Sequence, residues 1–150
     1  MKITSQQKGK LGELWVFGKL LDAGANVYCP LVDVEGIDAI VRRRDGKLVE
    51  IQVKSTRAEE QAGYFNAYLE PRENLFMVCV DLSPLDRTPS QSPEVWVFPS
   101  EVFADPEYST QSKTGEWRLA LASRSKRHGN KARKELLKEY REAWRLLTGG

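Results

Sequence analysis

Four polar side chains stand at regular spacing in one stretch of the chain, GIDAIVRRRDGKLVEIQVKS. Asp38 lies near its start, and Glu50, Gln52 and Lys54 follow at two-residue intervals near its end. A carboxylate, an amide oxygen and the backbone carbonyl of Val53 are ligands that suit Mg²⁺, which takes a few protein oxygens and keeps its waters. An ammonium group beside such an ion is suited to orient a metal-activated water next to a phosphate.

A β-hairpin must position these side chains, and we call this stretch, Gly36–Ser55, the motif hairpin. Alternating apolar residues predict two strands, Ile37–Arg42 and Lys47–Lys54, around the turn signal Asp45-Gly46. A two-residue loop would mix apolar and polar residues on each face, whereas a three-residue loop with left-handed Gly46 separates them. The predicted pairs are Ile37–Val53, Ala39–Ile51 and Val41–Val49 on the apolar face, and Asp38–Gln52 and Ile40–Glu50 on the polar face. An ordinary hairpin with one solvated face, which needs no metal, shows the same alternation.

At these residues the chain resembles the PD-(D/E)XK nuclease superfamily. The signature of that superfamily is an Asp at the start of one strand and Glu or Gln, any residue, and Lys on the next. Asp38 and Gln52-Val53-Lys54 match it, as the variant with Gln in the second acidic position. The chain looks most like the small members of the superfamily, which include archaeal Holliday-junction resolvases, group I intron homing endonucleases of this type and uncharacterised prokaryotic relatives. The resemblance implies an α/β, restriction-endonuclease-like fold, in which a central mixed β-sheet is flanked by helices and the chain opens in the order αβββ.

The resemblance also implies metal-dependent hydrolysis of phosphodiester bonds in DNA, with Mg²⁺ as the cofactor and Mn²⁺ as a substitute. Asp38, Gln52 and the Val53 carbonyl are the expected metal ligands, and Lys54 is expected to stabilise the hydroxide and the charged transition state. Glu13, near the start of the first predicted helix, matches a family Glu that reaches the metal site. The expected catalytic residues are thus Asp38, Gln52, Lys54 and Glu13, with Glu50 as an extra acceptor.

The rest of the chain is predicted to form one domain, residues 1–150, whose length suits a single core. A capping box at Thr4–Gln7 starts a helix over Lys8–Ala23, with an apolar stripe of Leu11, Leu14, Trp15, Gly18 and Leu21. A polar connection, Thr56–Gly63, follows the motif hairpin. Further strands are predicted at Val27–Leu31, Tyr64–Leu69, Leu75–Asp81, Val95–Phe98 and Trp117–Ala122.

The chain is predicted to end in an amphipathic helix, Asn130–Leu147, whose first half is strongly basic. The segment Arg124–Lys138 holds seven basic residues and one acidic residue, although the whole chain has a formal charge of only +2. Such a patch beside an acidic body suits a phosphate backbone, while a merely solvated helix face is the alternative. The residues predicted to bind nucleic acid are Arg124, Lys126, Arg127, Lys131, Arg133 and Lys134.

Composition restricts the possible classes of protein. The longest apolar run, Leu75–Val80, is too short to cross a membrane, and the polar N-terminus lacks a signal-peptide core, so we expect a cytoplasmic location. The single histidine excludes His-rich zinc sites, and Cys29 and Cys79 are expected to be free, buried thiols.

Two alternatives to a nuclease remain open at this point. Gln in the second acidic position also fits a nucleic-acid-binding scaffold that has lost hydrolysis. A protein-interaction module of a defence or mobile-element system would use the basic segment to bind another protein. For a nuclease, we expect a homodimer or higher assembly, because cutting both strands of a duplex usually requires two sites.

Overall fold

The structure is a computed structural model that describes residues 2–57, 63–88 and 90–150. Residues 58–62 of the predicted polar connection therefore lie outside the described residues. The helices are α1 (Ser5–Asp22), α2 (Pro84–Arg87), α3 (Ser100–Phe103), α4 (Arg133–Leu136) and α5 (Arg145–Thr148). The strands are β1 (Asn26–Tyr28), β2 (Ala39–Arg42), β3 (Leu48–Thr56), β4 (Tyr64–Ala67), β5 (Leu75–Asp81), β6 (Glu94–Pro99), β7 (Ser109–Gln111), β8 (Trp117–Ala120), β9 (Arg124–Ser125) and β10 (Lys131–Ala132).

Within the described residues, the strands form a five-stranded sheet in the order β1-β2-β3-β5-β6, a three-stranded sheet in the order β4-β8-β7 and a two-stranded sheet of β9 and β10. Strands β3 and β5 are parallel and the other neighbours in the large sheet are antiparallel, so the sheet is mixed. The α/β class, the mixed sheet and the opening order αβββ are confirmed.

The large sheet is covered on both faces, because β5 is buried along almost its whole length. Val78 and Val80 contribute to a core cluster that also contains Val16 and Leu20 of α1. Met77 and Cys79 contribute to a second cluster, which they share with residues of the three-stranded sheet, such as Phe65 and Leu119. Successive residues of a strand point to opposite faces, so one continuous apolar run supplies both clusters.

The predicted register of the motif hairpin is confirmed over β2 and β3. Ala39 pairs with Ile51, Ile40 with Glu50 and Val41 with Val49. Gly46 has a φ of +84° and its N–H donates to the Arg43 carbonyl at 3.0 Å, as the three-residue loop requires.

The predicted capping box is confirmed, since Thr4 and Gln7 bond reciprocally, and the first helix begins inside it at Ser5, before the predicted start at Lys8. Its predicted apolar stripe is wrong: Gly12, Val16 and Leu20 are buried, while Leu14 and Leu21 are about 60% exposed. The reason is a close approach at Gly12, where a Cβ would lie 1.8 Å from the Ser55 Oγ of β3. The face of α1 that carries this glycine therefore packs against the sheet.

The predicted C-terminal helix over Asn130–Leu147 is also wrong. Gly129 and Asn130 have φ values of +66° and +61° and join β9 to β10, and only short helices follow, namely α4, a 3₁₀ helix over Lys138–Tyr140 and α5. Between α4 and α5, Glu142 N–H donates to the carbonyl of Val95 on β6 at 2.9 Å.

The apolar residues of this segment explain why one helix cannot form. Leu137 belongs to the core cluster beside the three-stranded sheet, whereas Ala143 and Leu147 belong to the cluster beside α1. A continuous helix presents a single apolar stripe to one surface, so it could not reach both clusters.

Both cysteines are free, as predicted, but only Cys79 is buried and Cys29 is exposed. Across residues 2–57, 63–88 and 90–150, no helix has the length and apolar character needed to span a bilayer.

The glycine contact gives a stability prediction. Gly12→Ala is expected to destabilise the fold by about 1–3 kcal/mol, because the new methyl group overlaps Ser55 at the helix–sheet interface. Gly18→Ala is the matched control, since its Cβ meets nothing within 4 Å and alanine favours helix by about 0.5–1 kcal/mol. Urea denaturation of both variants measures the difference, and equal stabilities would contradict the proposed contact.

Candidate active site

Asp38 stands where the two strands of the motif hairpin separate. Its amide donates to the Ile51 carbonyl at 2.9 Å, and its carboxylate accepts the Val53 N–H at 2.7 Å. The β2–β3 pairing therefore starts at Ala39, and the predicted pairs Ile37–Val53 and Asp38–Gln52 are not part of it. The Asp38 carboxylate thus accepts a hydrogen bond that a backbone carbonyl would accept in a regular sheet. This bond ties the carboxylate to β3 between Gln52 and Lys54.

Gln52 is almost completely buried, with 6% exposure, and packs against Gly36. Gly36 has a φ of +72°, and a Cβ at this position would lie 2.6 Å from the Gln52 Nε2. Glycine is needed here both for the left-handed backbone and for the space that the amide group fills. The loop before Asp38 thus determines where the Gln52 side chain lies.

Two neighbouring clefts contain the predicted site residues. The Asp38 cleft, of about 260 Å³, is lined by Asp38, Glu13, Lys10, Cys29 and Asp33. The Gln52 cleft, of about 1060 Å³, is lined by Gln52, Lys54, Glu50, Glu35, Tyr68 and Arg72. The two clefts are neighbours across β3. Asp38 of the first cleft accepts the N–H of Val53, which lies between Gln52 and Lys54 of the second cleft.

The pKa of Asp38 is raised to about 6, chiefly because burial disfavours the charged carboxylate. The Val53 N–H and the charge of Lys54 lower this pKa, whereas the negative charges of Glu13 and Asp33 raise it. Glu13 and Lys54 are therefore close enough to act on Asp38. The sequence did not lead us to predict Asp33 as part of the site. The only indication was that two acidic residues, Asp33 and Glu35, lie in the loop just before Asp38.

The donor set fits a divalent cation with few protein ligands. Among the described residues no three His, Cys, Asp or Glu side chains are grouped so that they could hold a metal ion by themselves, so the available oxygens are mixed in type. They come from Asp38 and Glu13, from the Gln52 amide and from the Val53 carbonyl, and Mg²⁺ accepts such oxygens while it keeps several waters. A bound cation would also offset the repulsion by Glu13 and Asp33, which adds to the effect of burial on the pKa of Asp38.

Glu13 and Glu50, two of the acidic residues predicted to belong to the site, each form an ion pair with a basic residue. Glu13 forms an ion pair with Lys10 at 2.6 Å, one turn before it on α1. Glu50 binds the Arg72 guanidinium, so this carboxylate is engaged at the far side of the Gln52 cleft. The Glu50 carboxylate therefore faces Arg72 and not the oxygens around Asp38.

The six basic residues that we predict to bind nucleic acid lie on the β9–β10 hairpin and at the start of α4. They are outside the Asp38 cleft and the Gln52 cleft. Arg124 and Arg133 donate to the carbonyls of Asn130 and Tyr108, at 3.0 and 3.1 Å, and Lys134 pairs with Glu94 at 3.1 Å. Four of them line a separate surface cleft of about 380 Å³, namely Arg124, Lys126, Arg127 and Arg133. Lys126, Arg127 and Lys131 are exposed.

The raised pKa of Asp38 predicts a pH dependence of stability in metal-free protein. Below about pH 4 the carboxyl is protonated in both states, and between about pH 4 and 6 the unfolded state loses its proton first. Stability is therefore expected to fall through this range by about 1–2 kcal/mol, a value reduced for the partial exposure of the group. Denaturation of wild type and Asp38→Asn at several pH values measures the effect, which should be absent from the variant; parallel curves would contradict it.

Comparison with known protein families identifies the class to which the chain belongs. A family model described as PD-(D/E)XK endonuclease matches residues 3–116, so the chain belongs to the PD-(D/E)XK endonucleases. The solved structure of a bacterial homing endonuclease, I-Ssp6803I, is similar in fold, with a TM-score of 0.60 and 22% sequence identity. The match covers 99% of this chain and 94% of that one. No curated protein sequence matches. The superfamily and the restriction-endonuclease-like fold are confirmed.

Proposed function

We propose that the protein is a metal-dependent endonuclease that hydrolyses phosphodiester bonds in DNA. The observation that carries the proposal is the hydrogen bond between the Asp38 carboxylate and the Val53 N–H, at 2.7 Å. This bond places a carboxylate of raised pKa beside the strand that presents Gln52 and Lys54. Membership of an endonuclease family supports the reaction class, and DNA as the substrate and the metal requirement are parts of the proposal.

Asp38, Glu13, Gln52 and the Val53 carbonyl would hold Mg²⁺, or Mn²⁺ in its place. The ion, when bound, supplies Lewis-acid stabilisation of a phosphate oxygen and lowers the pKa of a water. Asp38 is fixed for this task by Val53, and Gln52 is fixed by its packing against Gly36. Lys54 places a positive charge beside Asp38, where it stabilises negative charge that develops on the phosphate.

The exposed basic residues of the β9–β10 hairpin, Lys126, Arg127 and Lys131, would contact the DNA backbone away from the cut. Such contacts are independent of sequence and weaken as salt is added. A homodimer or higher assembly would supply the second site needed for a double-strand cut, and light scattering of the purified protein measures its mass.

The test is cleavage of supercoiled plasmid and branched DNA by the wild type, first with Mg²⁺, then with Mn²⁺, and with chelator as the blank. Metal-dependent nicking is expected in at least one metal. Binding without any cleavage in either metal would contradict the proposal and favour a nucleic-acid-binding scaffold. The absence of both cleavage and salt-sensitive binding would favour a protein-interaction module.

A further inference from the structure

Arg72 lies at one side of the Gln52 cleft, where both its side chain and its backbone form hydrogen bonds. Its Nε donates to the Glu50 carboxylate at 3.1 Å, and one Nη donates to the same oxygen. Its backbone N–H donates to the Ser100 Oγ at 3.0 Å, while that hydroxyl donates to the Arg72 carbonyl at 2.8 Å. Ser100 is completely buried, so the backbone of Arg72 is fixed in place, while the half-exposed ion pair with Glu50 orients the guanidinium.

The position of Arg72 relative to the catalytic row follows from β3. Glu50, Gln52 and Lys54 lie on one face of this strand, and residues two apart are separated by about 6.6 Å. Arg72 is bound at the Glu50 end of the row, whereas Lys54 lies at the other end. The Gln52 cleft, of about 1060 Å³, is open to both cations, so an extended polyanion can contact the two together.

The chemistry of the guanidinium indicates what Arg72 does there. Arginine has five N–H donors in a planar fork, and Glu50 uses the edge formed by Nε and one Nη. Within the described part of the chain, no hydrogen bond is made by the second Nη. A guanidinium that is oriented by an ion pair and has an available edge is well suited to a phosphate group, because its planar fork loses little side-chain freedom on binding.

We propose that Arg72 binds a DNA phosphate adjacent to the one that is cut, and that Glu50 positions Arg72 instead of holding the metal. This inference rests on the proposed hydrolysis of DNA, and it assigns Arg72 as a substrate-binding residue of the same site. The Glu50 carboxylate balances the formal charge of Arg72, but it occupies only one edge of the guanidinium, so N–H donors remain for a phosphate.

DNA binding without cleavage tests the role of Arg72. Fluorescence anisotropy of a labelled duplex is measured in chelator, over about 50–200 mM salt. Arg72→Gln is expected to weaken binding about tenfold and to reduce the salt slope by about one phosphate contact. Arg72→Lys keeps the charge but loses the fork, so it is expected to keep the slope and to lose affinity a few-fold.

Arg44→Gln is the control for loss of one positive charge. The Arg44 guanidinium donates to the carbonyls of Ala23 and Gly150, at the turn end of the motif hairpin, and this variant is expected to bind like the wild type. Circular dichroism verifies folding, and Arg72→Lys decides the question if Arg72→Gln does not fold. A folded Arg72 variant with wild-type affinity and slope would overturn the inference while leaving the proposed hydrolysis intact. If the wild type has no DNA affinity, both proposals fall.

The role of Glu50 is tested separately by titration with Mn²⁺. Glu50→Gln is expected to bind Mn²⁺ within about twofold of the wild-type affinity, because the carboxylate faces Arg72. Asp38→Asn is the positive control and should lose most of the affinity. A loss of tenfold or more in Glu50→Gln would show that Glu50 is a metal ligand, and the positioning role would be wrong.

Discussion

Asp38→Asn is expected to lower the rate of metal-dependent DNA cleavage at least about 10³-fold, which corresponds to about 4 kcal/mol of transition-state stabilisation. The substitution removes the charged ligand at the point where β2 and β3 separate. The asparagine oxygen can still accept the Val53 N–H, so the hairpin keeps its register and the loss is chemical. Initial rates of plasmid nicking in Mg²⁺ and in Mn²⁺ measure the effect, and Mn²⁺ titration should show weakened binding.

Asp45→Asn is the matched control for that substitution. Asp45 lies in the turn of the motif hairpin, where it accepts the Lys47 N–H at 3.1 Å and pairs with Arg43. The same change of carboxylate to amide, far along β3 from the site, is expected to leave cleavage unchanged. A folded Asp38→Asn protein that retains more than about a tenth of the wild-type rate would show that Asp38 is not the principal metal ligand.

Lys54→Met is the second large effect that we expect, a decrease of about 10²–10³-fold in cleavage rate, or about 3–4 kcal/mol. The positive charge of Lys54 is close enough to lower the pKa of Asp38, so it also lies close to the phosphate that the site would hold. Methionine retains the apolar stem and removes only the charged end. We expect metal affinity to change little, because an ammonium group is not a ligand; single-turnover rates at saturating Mg²⁺ isolate the effect.

Lys47→Met serves as the control, since Lys47 is exposed next to the hairpin turn. Its cleavage rate should equal that of the wild type. A Lys54→Met protein with unchanged cleavage would eliminate the assigned role. A parallel loss of metal affinity and cleavage would instead indicate that Lys54 maintains the ionisation of Asp38. The pKa of Asp38 should be higher in Lys54→Met in either case.

The sequence alone was sufficient to predict the motif hairpin, its three-residue turn and the β2–β3 register, because these depend on neighbouring residues. Left-handed Gly46 and the apolar alternation restrict the hairpin to one pairing. The capping box of α1 has the same local origin. The type and spacing of Asp38, Gln52 and Lys54 were also enough to identify the superfamily that the comparisons confirm.

Only the tertiary structure decided which face of α1 is buried, because that depends on the contact of Gly12 with Ser55, far apart in the chain. It also decided that the C-terminal segment is broken, since Leu137 and Leu147 belong to different core clusters. The Glu50–Arg72 ion pair joins side chains from different parts of the chain in the same way. Local patterns determine the shape of one hairpin or helix, whereas contacts between distant residues determine which surfaces meet and which carboxylates remain available to a metal.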